Sequence, residues 1–263
     1  MENVTRMSHF SFSGSAGFDI YEKTQGYLAT FVPPDNKQNG YDSIVNFEDS
    51  SWRELTINFP SYSDVVELYI GISDEARLEQ FCPYKNDKPI VYYGSSITQG
   101  GCASRPGNSY QNMLSRQLSF DYINLGFSGS AKAETEIAEY IKNLDMSIFV
   151  YDYDYNAPNI EHLANTHEKM FKIIRESNQD LPIIIMSRPK YNLTKNETKR
   201  FKIIASTYKN AINKGDKNVY LLTGKELMQD CKDEGTVDRC HPSDWGFASM
   251  AKALEKVISS IQN

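Results

Sequence analysis

Beyond Pro89 the sequence repeats one rhythm five times: a short β-branched or aromatic run, then a stretch with helical apolar spacing. The runs are Ile90 to Tyr93, Tyr122 to Leu125, Ser147 to Tyr153, Pro182 to Ser187 and Val219 to Thr223. The helical stretches carry Tyr110, Met113, Leu114 and Leu118, then Ile137, Ile141 and Leu144, then Leu163, Met170, Phe171 and Ile174. Two more follow, with Phe201, Ile204, Tyr208 and Ile212, and with Phe247, Met250, Leu254, Ile258 and Ile261. Each set falls on one face of a 3.6-residue helix. Five βα units in succession dictate an α/β fold, a five-stranded parallel sheet with helices on both faces. No longer period of self-similarity runs along the chain, which excludes a repeat array.

Ahead of Pro89 the pattern is different. Phe18 to Tyr21, Tyr27 to Val32, Ile44 to Phe47, Glu54 to Phe59 and Val65 to Ile72 are short alternating runs separated by Pro33-Pro34, Asn39-Gly40 and Pro60 to Ser63. These predict a small all-β sandwich. Ser73 to Lys88 reads as a linker in which Glu75 to Phe81 has the makings of one helical turn. The expected domains are residues 1–85, the β-sandwich with its linker, and residues 86–263.

Composition narrows the function classes. Of 263 residues 40% are hydrophobic and 24% charged, and the net charge of −6 comes with dispersed basic residues, so a nucleic-acid partner is not expected. The longest apolar runs, such as Ile183 to Met186, are far short of a membrane span. Met1 to His9 lacks a signal-peptide segment, so a cytoplasmic protein with no membrane partner is expected. The cysteines, Cys82, Cys102, Cys231 and Cys240, form no CxxC pair and no zinc spacing, which predicts free thiols and no metal. Asn3, Asn192 and Asn196 begin Asn-x-Thr sequons that carry no weight without a secretion signal.

Open α/β sheets place their chemistry at the carboxyl ends of the strands. The first strand ends at Gly94 and is followed by Ser95, Ser96, Thr98 and a Gly100-Gly101 pair; the second leads into Gly126-Phe-Ser-Gly-Ser130. The third leads into Asp152-Tyr-Asp-Tyr-Asn156, and beyond the fifth come Asp238-Arg-Cys-His241 and Trp245. Together these supply the parts of an acyl-transfer site: a nucleophile in Ser96, oxyanion donors, and a base, His241, with Asp238 placed to orient it. A Ser-rich turn or an Asp-x-x-His is common by chance; the position of both at one sheet end favours Ser96, Asp238 and His241. Ser128 is the rival nucleophile, because Gly126 to Ser130 misses a Gly-x-Ser-x-Gly elbow only at its last residue. His162 and His167 fit surface or packing roles, and His9 sits before the β unit. Asp152 and Asp154 fit a hydrogen-bonded loop better than a cation site.

These blocks resemble those of the SGNH or GDSL hydrolases. Gly94-Ser95-Ser96-Ile97-Thr98 is similar to the first block, with Ser95 where the name-giving Asp stands. Gly129 resembles the glycine of the second block and Asn156 the asparagine of the third, although that block here lacks its usual Gly and following Asp. Asp238 and His241 match the final Asp-x-x-His. The resemblance implies a three-layer α/β/α domain and a serine esterase without metal or cofactor. It implies an oxyanion hole made by the backbone N–H of Ser96 and Gly129 and by the Asn156 side chain. Gly17-Phe-Asp-Ile-Tyr21 resembles the Gly-x-Asp-Leu-Tyr signature of a β domain ahead of one GDSL-like lipase/acylhydrolase branch. Some two-domain proteins of this build are carbohydrate O-acetylesterases, so the expected substrate is a small-molecule or oligosaccharide ester, and the expected reaction removal of an acetyl group. Arg105, Asn108 and Trp245 are the expected sugar contacts. The alternatives are a lipase, thioesterase or acyltransferase on the same site, or a non-catalytic carbohydrate-binding protein.

Overall fold

A computed structural model of the chain describes residues 7–34, 40–80 and 83–262. A one-turn helix, α1 (Phe12–Ser15), leads into an antiparallel sheet of β1 (Phe18–Glu22), β2 (Gly26–Phe31) and β3 (Leu55–Asn58), with β1 in the middle. The second sheet contains β4 (Ile90–Gly94), β5 (Tyr122–Gly126), β6 (Ile148–Asp152), β7 (Ile183–Met186) and β8 (Val219–Leu222). Its strands are all parallel and run in the order β5-β4-β6-β7-β8. The helices that follow β4 onward are α2 (Ser96–Gln99), α3 (Tyr110–Leu118), α4 (Thr135–Ile141), α5 (Ile160–Ser177), α6 (Lys195–Asn213), α7 (Gly224–Leu227) and α8 (Asp244–Gln262).

Alternation along the strands builds two cores. Ile90, Tyr92, Ile148, Val150, Ile184 and Met186 cluster with Tyr110, Leu114, Phe247 and Leu254 of α3 and α8. Their sequence neighbours Val91, Tyr93, Phe149, Tyr151, Ile183 and Ile185 cluster on the other side with Leu163, Met170, Phe171 and Ile204 of α5 and α6. A parallel strand covered on both faces has to be apolar at every position, and β4, β6 and β7 are buried along their whole length. From β4 the chain steps out to β5 and then returns past β4 to β6. That reversal opens a crevice at the carboxyl ends of β4 and β6, the usual ligand position in such sheets.

Two expected strands do not form. Residues 44–47 and 65–72 have no strand, and Val66, Tyr69 and Ile70 are 68%, 83% and 63% exposed. β-branched content favours a strand only when a neighbouring strand is there to pair with, and no described backbone group bonds to either segment. Within the linker a single turn, Ala76 N–H to Ser73 O at 2.9 Å, replaces the expected helical turn. The expectations for Met1 to Arg6, Asn39, Phe81 and Cys82 lie outside the described residues. Among the described residues no helix is long and apolar enough to cross a membrane.

Candidate active site

The path from β4 to Ser96 is tight. A Cβ on Gly94, the last residue of β4, would lie 2.1 Å from Thr98 Oγ1 and 2.4 Å from Asp152 O, so only glycine lets the chain pass there. Ser95 then caps α2, its Oγ accepting the Ile97 N–H at 3.2 Å. A short acceptor side chain suffices for that cap, which is how Ser95 stands in for the carboxylate of the related motif. Ser96 is the first residue of α2, and its amide belongs to the set that a helix N-terminus leaves without intrahelical partners. Its side chain is buried, with 7% of the residue exposed.

The hairpin between β8 and α8 supplies Asp238 and His241. A bridge between Thr236 and Pro242, and a bond from Val237 N–H to His241 O at 2.9 Å, close it. Inside it Asp238 accepts three bonds, from Cys240 N–H at 3.0 Å, His241 N–H at 2.7 Å and His241 Nδ1–H at 2.8 Å. Partial burial acts to raise the Asp238 pKa, but the hydrogen bonds from the backbone and ring of His241 hold it below the usual carboxylate range. An ionised carboxylate only accepts, so Nδ1 must carry the imidazole proton and Nε2 is left with a lone pair. Ser96 Oγ–H donates to that Nε2 at 2.9 Å.

Gly129 and Asn156 stand on the loops after β5 and β6, either side of β4. Gly129 is exposed with φ 70, and its N–H has no acceptor among the described residues. Asn156 Oδ1 is buried without a partner among the described residues. Its loop is pinned by Asp154, whose carboxylate accepts Arg188 Nη2–H at 2.9 Å and Nε–H of both Arg188 and Arg200 at 2.7 Å. Arg200 also donates to the carbonyl oxygens of Asp154 and Ala157. Asp152 accepts Thr98 Oγ1–H at 2.8 Å, and burial pushes its pKa up to about 7. Both carboxylates are thus engaged by protein groups, as a hydrogen-bonded loop requires.

Two expected sugar contacts need correction. The Asn108 amide donates to Asp244 Oδ2 at 2.8 Å and Ser104 Oγ at 3.1 Å, and its oxygen accepts Tyr21 O–H at 3.4 Å, so it is a buried structural group. Arg105 donates to Tyr21 Oη at 3.0 and 3.2 Å and lies 4.1 Å over the Tyr27 ring, so its guanidinium is engaged with β1 and β2. Trp245 is 52% exposed in the first turn of α8. Ser128 hydrogen-bonds to no histidine among the described residues; its N–H donates to Gln99 Oε1 at 3.0 Å. His162 Nε2–H donates to Lys132 O at 2.9 Å, and His167 is buried against Tyr151, with ring centroids 4.6 Å apart.

The structure also brings in residues from the N-terminal unit that sequence reasoning missed. The ring centroids of His9 and Phe10 each lie 5.4 Å from that of His241, Phe10 packs edge-on to Tyr62 at 4.9 Å, and Tyr62 O–H donates to Ser96 O at 3.3 Å. His9, remote in sequence from every strand end, carried no local signal of this. His9, Cys102 and His241 converge, as do Asp238, Cys240 and His241, each set holding its metal-capable atoms within 4.8 Å of one another. The spacing reading found neither: His9, Cys102 and His241 come from separate elements, and Asp238, Cys240 and His241, though close in sequence, match no zinc-ligand spacing. Cys102, Cys231 and Cys240 are free, and burial pushes the thiols of Cys102 and Cys240 up to about 12 and about 11.

Residues 87–259 match a family model described as the GDSL-like lipase/acylhydrolase family, and residues 1–78 match one for the N-terminus of SGNH hydrolase-type esterases. No curated protein matches the chain. A solved protein of Bacteroides ovatus ATCC 8483, classed as a GDSL-like lipase, is similar at 29% identity and a TM-score of 0.86, over 98% of this chain and 78% of that one. The salicylyl-acyltransferase SsfX3 of a tetracycline biosynthetic pathway shares the fold at 15% identity and a TM-score of 0.68, over 94% of this chain and 74% of that one. A family two carbohydrate esterase of Clostridium thermocellum, solved with cellohexaose, shares it at 14% identity and a TM-score of 0.63, over 96% and 87%.

Proposed function

Since the chain belongs to the GDSL-like lipase/acylhydrolase family, we propose that it is a serine esterase that removes small acyl groups, acetyl above all, from a carbohydrate. The observation that carries this reading is the relay from Ser96 through His241 to Asp238, with contacts of 2.9 and 2.8 Å. In the first half-reaction Ser96 Oγ attacks the ester carbonyl while His241 Nε2 takes its proton, and Asp238 stabilises the imidazolium. The carbonyl oxygen becomes an oxyanion, held by the N–H groups of Ser96 and Gly129 and by the Asn156 amide. Collapse breaks the bond to the alkoxide, which leaves with the proton from His241. Water then attacks the acyl-serine with His241 again as base, releasing the acid and restoring Ser96. In this reading residues 1–85 and 86–263 are two domains that share one site.

The preference for a short acyl group is supported by the N-terminal wall, where Phe10 and Tyr62 occupy the space beside His241 and Ser96. A lipase gains about 0.8 kcal/mol for each methylene it buries; a site closed by aromatic rings gains none. The carbohydrate is suggested by the fold shared with the cellohexaose-bound esterase and with a two-domain esterase described as active on acetylated mannans. The test is kcat/KM across acetyl, butyryl and octanoyl p-nitrophenyl esters, followed by release of acetate from acetylated oligosaccharides. We expect the acetyl ester to be the best of the series. A value that climbs with chain length would replace this reading by a lipase, and no turnover of any ester by a carbohydrate-binding protein.

A further inference from the structure

The acyl-transfer reading makes no use of the side chains gathered behind His241. His9 arrives from the segment before α1, Cys102 from the loop after α2, and His241 from the hairpin before α8, and their ligand atoms lie within 4.8 Å of one another. Asp238 Oδ2 is 3.9 Å from His9 Nε2. Cys102 is turned into this space by a left-handed backbone, φ 71, and its Sγ–H donates to His9 O at 3.3 Å. Two imidazoles and a thiolate, with water as fourth ligand, are a tetrahedral donor set suited to zinc and similar divalent ions. Zinc–nitrogen and zinc–sulfur distances of about 2.0–2.3 Å put ligand atoms about 3.3–3.8 Å apart. The set therefore has to close by up to about an ångström, and His9, its side chain 38% exposed, can make that movement by side-chain rotation.

We propose that a soft divalent transition-metal ion, of which zinc is the prototype, binds His9, Cys102 and His241 and switches the enzyme off. The inhibitory part rests on His241 being the catalytic base. If the ion takes Nε2, the lone pair that receives the Ser96 proton is gone. If it takes Nδ1, the remaining ring proton moves to Nε2, which then cannot accept another. Either way the Cys102 proton leaves to solvent as the thiolate coordinates, no oxidation state changes, and Ser96 stays protonated. The N-terminal unit, which supplies His9, thereby gains control over a base carried by the C-terminal part of the chain.

The test uses the full chain, freed of metal with chelator, in two arms. In the first, zinc is titrated against p-nitrophenyl acetate hydrolysis, with each variant normalised to its own metal-free rate. Wild type should be inhibited and then recover with chelator, while His9→Gln and Cys102→Ser should need about 10- to 100-fold more zinc or better. In the second, cobalt replaces zinc and the near-ultraviolet thiolate-to-cobalt band is recorded, a readout that does not depend on turnover. The band should be present in wild type and in Cys240→Ser and absent in Cys102→Ser. Zinc that inhibits wild type and both variants alike, or a cobalt band lost in Cys240→Ser and kept in Cys102→Ser, would overturn the site. If wild type hydrolyses no ester, the catalytic reading falls by itself and the cobalt band alone decides whether the metal site stands.

Discussion

Asn156 is the residue at which geometry and chemistry are most separable. It makes no bond to the relay, and its Oδ1 is buried without a partner among the described residues, so the fold gains nothing evident from the amide. If it is an oxyanion donor, Asn156→Ala should lower kcat about 10²- to 10³-fold with little change in KM or in melting temperature. A drop in stability with kcat intact would assign it to structure instead. Asp152 is the opposite case, a buried acid whose pKa of about 7 stands above its usual 3.8 because of desolvation. Between those values the folded protein holds a proton that the unfolded chain does not. Its contribution is fully present below about pH 4 and is lost as pH rises through about 7. Asp152→Asn keeps an acceptor for Thr98 and cannot ionise. The variant should therefore gain on wild type as pH is raised from 4 to 8, by at most about 4 kcal/mol, in denaturant melts at both values. Equal differences at the two pH values would contradict the raised pKa.

At the scale of elements, the central question is what holds the small sheet against the loop that follows the nucleophile. The Gly17 to Tyr21 signature lies on β1, and its Asp19 is fully buried at the junction, accepting Gly107 N–H at 2.8 Å and Asn58 Nδ2–H at 2.7 Å, with Arg105 Nε at 3.5 Å. Tyr21 adds its bonds to Arg105 and Asn108. Removing one partner of a buried ionic network leaves the others desolvated and unpaired, at a cost of about 3–5 kcal/mol. Asp19→Ala should lose that much in a denaturant melt, and Asp19→Asn less. An Asp19→Ala variant as stable as wild type would mean that the two sheets are not coupled through this carboxylate. Much at this scale was legible beforehand. The five parallel strands were readable because a strand covered on both faces is apolar without interruption, and the Asp238–His241 pair because the two stand three residues apart on one turn. The strands expected at 44–47 and 65–72 were not, because pairing depends on a partner that local composition does not name. The clamp of Asp154 by Arg188 and Arg200 was invisible for the same reason: its members come from three distant elements.

For the whole molecule, the groups proposed as catalytic gather at one sheet end, and residues of the N-terminal unit wall them in. Ser96 and Asn156 follow β4 and β6 at the crevice where strand order reverses, and His241 reaches them from the far edge through the hairpin before α8. His9, Phe10 and Tyr62 close the site from the N-terminal side. That division explains why Ser96, His241 and Asp238 could be read from the order of motifs while the residues around them could not. In the proposed reaction Ser96 becomes acylated during turnover. Reaction with a fluorophosphonate, followed by intact mass measurement and peptide mapping, tests it most directly. A single adduct on Ser96, absent from Ser96→Ala, is the expected result. An adduct that persists in that variant, or that maps to Ser128, would contradict it.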